Sequence, residues 1–173
     1  VLDTYALVKE ACPDVQLVVV NMMPTGEIHE VYETMTVRAH ELGDVLILTD
    51  LDRVGNVELS TLRDVSNVLL HQGMPRGVSM ELLEEMWQSC SIVSGRSPVA
   101  LAMLKDGVSA IFADTPLEQA NAIVQLMDSP RAAARLGRAA HAVVKRNLLI
   151  THFLERYLKA TVRLLGKRAR KES

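Results

Sequence analysis

The sequence predicts an α/β fold: a Rossmann-like parallel sheet of about five strands, with helices on both faces and a helical C-terminal extension. Three observations carry this expectation. Five short, β-branched apolar runs recur along the chain, longer amphipathic stretches alternate with them, and no strand pattern follows residue 131. Strands that alternate with helices imply βαβ units, hence a parallel sheet with right-handed crossovers.

The apolar runs are Val15–Val20, Val45–Leu48, Val68–Leu70, Ser91–Val93 and Ala110–Ala113. Each is apolar nearly throughout, the pattern of a strand covered on both faces. Helical patterns fall at Leu2–Ala11, Glu27–Leu42, Leu59–Val65, Met80–Gln88, Val99–Leu104 and Leu117–Met127. Cys12-Pro13-Asp14 ends the first helix, and Asp114-Thr115-Pro116 offers an N-cap with proline in the first turn. Asp128-Ser129-Pro130 repeats that device. Beyond it, Ala132, Leu136, Ala139, Ala140, Val143 and Val144 trace one helical face. Ile150, Phe153, Leu154, Tyr157, Leu158, Val162 and Leu165 trace another within Leu148–Leu165. The expected organisation is a Rossmann-like lobe over 1–130, packing helices over 131–166 and a basic tail over 167–173.

Composition narrows the class. The chain has 173 residues, 49% apolar and 23% charged, with a net charge of -2. At about 100–200 residues per domain this is one domain, or one half of a bilobal enzyme. Balanced charge argues against a domain built to bind nucleic acid. No apolar run approaches the ~20 residues that span a bilayer, and the first residues do not resemble a secretion signal. Cys12 and Cys90 are 78 positions apart, which is neither a disulfide framework nor a metal spacing, so two reduced thiols and a cytoplasmic location are expected. The five histidines form no paired-ligand pattern, and neither a metal nor a cofactor is expected. Ser79 and Ser94 lack triad partners, so no catalytic residue is assigned.

In open α/β sheets ligands bind beyond the carboxyl ends of the strands. The loop after the third strand, His71 to Ser79, contains Gly73 and Gly77 and runs into the helix that starts at Met80. Free backbone N–H groups and the positive end of a helix dipole suit an anion there, and Arg76 adds a cation able to grip phosphate. His71 sits at a strand end, where partial burial against a backbone partner is the ordinary expectation. Glu84 and Glu85 are adjacent on a helix, point in different directions and do not form an acid/base pair. Trp87 is expected in the core.

The stretch Asn67–Ser94 resembles the donor-site segment of retaining glycosyltransferases with two Rossmann-like lobes, the GT-B fold of family 4. That family carries a glutamate followed by Gly-Phe-Gly, with a second glutamate eight positions after the first. Here Arg76 stands at the first glutamate, Gly77-Val78-Ser79 at the triplet and Glu84 at the second glutamate. Within the family the chain resembles the branch of trehalose synthase and trehalose phosphorylase. The opening from Tyr5 to Leu17, Leu48-Thr49, Glu84-Glu85-Met86-Trp87-Gln88, Asp106-Gly107-Val108 and the segment Leu149–Leu158 carry that resemblance, in the branch's order.

The resemblance implies the C-terminal, nucleotide-sugar-binding lobe of a hexosyltransferase, transferring glucose from a nucleoside diphosphate glucose. It implies substrate contacts at Arg76, Gly77, Val78, Ser79, Met80 and Glu84, with Glu84 on the ribose hydroxyls. It also implies a preceding strand and an N-terminal lobe, so the chain alone is not expected to be active. Arg76 reverses the charge of the family position, Ser79 replaces the second glycine of the triplet, and Gly95-Arg96-Ser97-Pro98 replaces a Gly-Gly turn. A catalytically degenerate lobe serving as a structural subunit is therefore the alternative. The stripe over Leu148–Leu165 is expected to contact an N-terminal lobe, a second copy or a partner subunit.

Overall fold

A computed structural model describes residues 1–20, 28–49, 52, 54–72 and 80–169. The elements follow in the order α1 (Leu2–Ala11), β1 (Leu17–Val20), α2 (Ile28–Leu42), β2 (Val45–Leu48), α3 (Asn56–Val65) and β3 (Leu69–His71). Then come α4 (Met80–Trp87), β4 (Ile92–Ser94), α5 (Pro98–Met103), β5 (Ile111–Phe112), α6 (Pro116–Asp128) and α7 (Pro130–Val143). A π-helical turn, Val144–Leu148, joins α7 to α8 (Ile150–Ala169). All five expected strands form, and every ladder is parallel.

The expected single sheet is divided. Among the described residues β1 pairs with β2, and β3, β4 and β5 form a second ladder in that order, with no pairing between the two. The expectation of strands covered on both faces also fails for the first ladder. Val18, Val20 and Leu46 are 40%, 48% and 52% exposed. The register places Val18 beside Leu46, so these side chains share one face.

The core explains the difference. Leu82 and Met86 of α4 pack with Ile92, Ala100, Phe112, Ala140 and Val144 in one cluster. Val93, Ala113, Ala122, Leu126 and Leu136 form a second. Ile92 and Val93 are successive residues of β4 and point to opposite faces, so the central strand of the second ladder feeds both clusters. Neither cluster includes a residue of β1 or β2. Each large side chain fully buried there is worth about 1.5–3 kcal/mol, and that stabilisation is concentrated around β3–β5.

Local chemistry fixes the ends of the elements. Thr115 caps α6: its hydroxyl accepts from Glu118 N–H at 3.2 Å, and the Glu118 carboxylate accepts from Thr115 N–H at 3.1 Å. Ser97 caps α5 by accepting from Ala100 N–H at 3.1 Å. Ser129 precedes α7 without a side-chain cap, and Pro130 occupies the first turn. Tyr5 of α1 places its hydroxyl 3.0–3.2 Å from the carbonyl oxygens of Val15, Gly43 and Asp44, which ties α1 to the starts of β1 and β2. Gly137 of α7 lies against the Ser89 carbonyl at the end of α4, too close for any side chain.

One packing expectation changes. Trp87 is 48% exposed rather than core, its ring lying 4.7 Å from that of His141 on α7. Leu82 and Met86 fill the buried face of α4, and Trp87 stands one residue beyond it. The stripe on α8 does not fold back: Ile150, Phe153, Leu154, Tyr157, Leu158 and Val162 are all more than half exposed.

Candidate functional site at the carboxyl ends of the strands

The carboxyl ends of β3, β4 and β5 gather polar groups. His71 ends β3 and pairs in register with Ser94, which ends β4; both are buried. The His71 ring is held by a side chain rather than by the expected backbone partner. Its Nδ1 lies 3.3 Å from Glu85 Oε2, an ion-pair distance outside hydrogen-bond alignment. Glu84, one residue earlier on α4, faces elsewhere, with Oε2 2.8 Å from Arg63 Nη2 of α3. The two glutamates thus have separate partners, as their adjacency on a helix requires.

A buried amide joins three elements at this end. Gln119, on the first turns of α6, is 4% exposed. Its Oε1 accepts from the Thr4 hydroxyl of α1 at 2.8 Å and from Gln72 Nε2 at 3.3 Å, while its Nε2 donates to the Ala113 carbonyl at 3.2 Å. Sequence reasoning did not single this residue out. The signal was present, because Gln119 shares a helical face with the buried Ala122 and Leu126.

Arg96, after β4, is latched. Its Nη1 donates to Asp114 Oδ2 at 2.5 Å, and its backbone N–H donates to Asp114 Oδ1 at 2.8 Å. The backbone and side-chain hydrogen bonds from Arg96 hold the Asp114 carboxyl below its ordinary value, and Asp114 in turn raises Arg96. Glu118 is lowered by the N–H groups of Asp114 and Thr115. The turn that carries Arg96 is therefore fixed to the start of α6.

Of the expected contact residues, Met80 is the first residue of α4 and exposed, and Glu84 lies one turn later and half-exposed. Arg76, Gly77, Val78 and Ser79 lie outside the described residues. Among the described residues no group of three or more His, Cys, Asp or Glu side chains is placed to hold a metal ion. Both cysteines are free; burial, then the Glu85 charge, pushes the Cys90 thiol up to about 11. No helix among the described residues is long and apolar enough to cross a membrane.

Parallel ladders flanked by helices, with polar side chains collected at the carboxyl ends, make the fold of one lobe of a GT-B glycosyltransferase, and solved structures agree. The chain matches HepE of Anabaena, solved with UDP and glucose, at TM-score 0.76 and 16% identity, over 92% of this chain and 44% of that one. It matches the C-terminal domain of a group 1 glycosyl transferase from Francisella tularensis at TM-score 0.72 and 11% identity, over 83% of this chain and 75% of that domain.

In sequence the chain is similar to trehalose synthases. It is 29% identical to the Thermococcus litoralis enzyme over 163 residues, and 28% identical to the Rubrobacter xylanophilus enzyme over 170 residues. These matches take in 91% and 96% of this chain but 39% and 40% of the relatives, so the chain spans about two fifths of their length. No family model matches the chain.

Proposed function

We propose that this chain is the nucleotide-sugar-binding C-terminal lobe of a retaining glycosyltransferase that moves glucose from a nucleoside diphosphate glucose. The observation that carries the reading is the similarity to trehalose synthases across nine-tenths of the chain. The match to a solved C-terminal glycosyl transferase domain supports the assignment of the lobe.

In this reading the diphosphate meets the N-terminus of α4, with the N–H groups of Gly77, Val78, Ser79 and Met80 as donors. Arg76 holds phosphate, and Glu84 anchors the ribose hydroxyls. The bond from the glucose anomeric carbon to the phosphate oxygen breaks, the acceptor hydroxyl oxygen bonds to that carbon, its proton passes to the departing phosphate oxygen, and the nucleoside diphosphate leaves. Catalysis then rests on positioning and electrostatic stabilisation, without a protein nucleophile. An N-terminal lobe supplies the acceptor side, and the apolar stripe of α8 contacts that lobe.

The second reading, a degenerate lobe retained as a structural subunit, is favoured by the engagement of Glu84 with Arg63 and by the latching of Arg96 to Asp114. Calorimetry of the natural polypeptide with UDP-, ADP- and GDP-glucose separates the two. Heat with one donor, reduced at least tenfold in affinity by Glu84→Ala, is the expected result. A folded protein that binds none of the three defeats the donor-binding reading.

A further inference from the structure

Charge is divided unevenly along the chain. Twelve of the 19 Lys and Arg residues lie beyond position 130, against two of the 21 Asp and Glu residues. No acidic residue occurs between Asp128 and Glu155. On α7 the buried residues are Leu136, Gly137 and Ala140, and Val144 continues that face into the π-helical turn. Arg131, Arg135, Arg138, Lys145 and Arg146 stand on the other side, all of them exposed. Among the described residues none of the five has a carboxylate partner. At about 1.5 Å per helical residue the row runs for about 20 Å.

Local stability does not account for these cations. Arg131 and Arg135 lie in the N-terminal half of α7, toward the positive end of its dipole, where a cation is disfavoured. Arg135 follows Arg131 by four residues and precedes Arg138 by three, spacings at which like charges repel. A protein partner fits the face poorly as well. Ala134 and Ala142 stand among the cations with no large apolar side chain, whereas protein interfaces bury an apolar centre depleted in charge. The large side chain beside this face is Trp87, at the end of α4. It is half-exposed, its carbonyl accepts from His141 Nδ1 at 2.5 Å, and its ring lies 4.7 Å from that of His141. Arg138 and Lys145 stand three residues before and four after His141. An indole has an apolar body and a polar N–H, which suits the headgroup level of a bilayer.

We propose that the solvent face of α7, from Arg131 to Arg146, docks on an anionic lipid surface, with Trp87 at the margin of the contact. The cations meet lipid phosphates, and the indole enters among the headgroups. The division of charge favours a flat partner. Nineteen of the 21 acidic residues precede position 130, so a polyanion long enough to wrap the lobe would also meet carboxylates. A plane touches one face only, and the one-sided charge turns that face toward it. Docking is peripheral, since no helix among the described residues is long and apolar enough to cross a membrane. None of this depends on donor binding.

Sedimentation of the full chain with lipid vesicles tests the proposal. Vesicles of phosphatidylcholine alone are compared with vesicles that also contain phosphatidylglycerol. The chain should pellet with the mixed vesicles only, and about 1 M salt should release it, because the screening length there falls to about 3 Å. Each cation near such a surface strengthens binding about fivefold, so Arg135→Gln and Arg138→Gln should each weaken it by about that factor. Trp87 emission, taken as the part that Trp87→Phe removes, should move to shorter wavelength on the mixed vesicles. Equal binding to both kinds of vesicle, or binding to neither, overturns the proposal. Binding that either arginine substitution leaves unchanged in a folded variant also overturns it. So does Trp87 emission that stays fixed while the unsubstituted chain binds, a reading that needs no arginine variant to fold. Single-stranded RNA or polyglutamate that binds more tightly than the mixed vesicles, and is lost with the same substitutions, overturns it in favour of a nucleic acid or an acidic protein.

Discussion

Gly137→Ala tests how α7 holds α4, the helix that carries Met80 and Glu84. A Cβ built on Gly137 falls 1.9 Å from the Ser89 carbonyl oxygen, 2.6 Å from the Ser89 carbonyl carbon and 3.1 Å from the Cys90 oxygen. The obstacle is backbone, so no rotamer relieves it. The Ser89 oxygen would have to retreat about 1.5 Å, and overpacking of this kind costs about 1–3 kcal/mol or more. Two effects oppose one another, because alanine is the better helix former by about 1 kcal/mol at an interior position. The clash wins, and we expect a net loss of about 2 kcal/mol, which for a chain of this size lowers Tm by roughly 4–8 °C. Ser89 itself has φ of +62°, a conformation that penalises a side chain. Ser89→Gly should therefore be neutral or stabilising, yet should not rescue Gly137→Ala, since the carbonyl remains. Urea unfolding followed by circular dichroism measures all three variants. A Gly137→Ala protein as stable as the parent, or more so, refutes the close packing of α7 on α4.

Four further outcomes follow from the same structure. Thr115→Ala should cost about 1 kcal/mol in urea unfolding by removing the cap of α6. Because Asp114 and Glu118 hold depressed values in the folded state, their contribution is present above the ordinary carboxylate range. It should fade as pH falls below about 4, and a stability profile that is flat from pH 5 to 2 counts against it. The Cys90 thiol, raised to about 11, should resist a thiol reagent at pH 8 until the protein unfolds, as read by mass spectrometry. Phe153→Asp and Tyr157→Asp alter side chains that are 67% and 60% exposed. Each should shift the stability of the chain by under about 0.5 kcal/mol while weakening its association with an N-terminal lobe in sedimentation.

The strand-and-helix order was legible because period-2 and period-3.6 patterning are local properties. Val45–Leu48 was read to the residue, β1 differed by two positions at its start, and β3, β4 and β5 differed by one position at each end. Division of the sheet was not legible, because Leu17–Val20 is equally apolar whether both faces and both edges are covered or not. Trp87 misled because its type suggests burial, whereas the buried face of α4 is set by Leu82 and Met86. The separate directions of Glu84 and Glu85 followed from helix geometry. Their partners did not, since Arg63 and His71 are brought to α4 by β3 and α3, elements whose placement is tertiary. Gln119 was overlooked because an amide on a helix's first turn reads as solvated until its face is traced onward to Leu126.

The contact between Glu84 and Arg63 bears on both readings of the lobe, and its magnitude decides how much. Glu84 is about half exposed and Arg63 is 13% exposed, so the pair sits at the margin of the protein rather than inside it. Glu84 reaches solvent but Arg63 is largely covered, so releasing the pair costs more than the ~0–1 kcal/mol of a fully exposed one. A ribose that offers hydrogen bonds to a charged carboxylate returns about 1.5–3 kcal/mol for each one made. Two such hydrogen bonds offset the release of Glu84 from Arg63, so the ion pair by itself does not disqualify the lobe from binding a nucleotide. The weight of the structural-subunit reading shifts to charge. At Arg76 a cation replaces a carboxylate that, in the resembling family, faces the sugar as positive charge develops on it, and a cation there opposes that charge. The same substitution favours phosphate, which carries the opposite sign. In the proposed reading, donor binding and donor cleavage respond in opposite directions to Arg76, and a lobe of this kind would retain the first while losing the second.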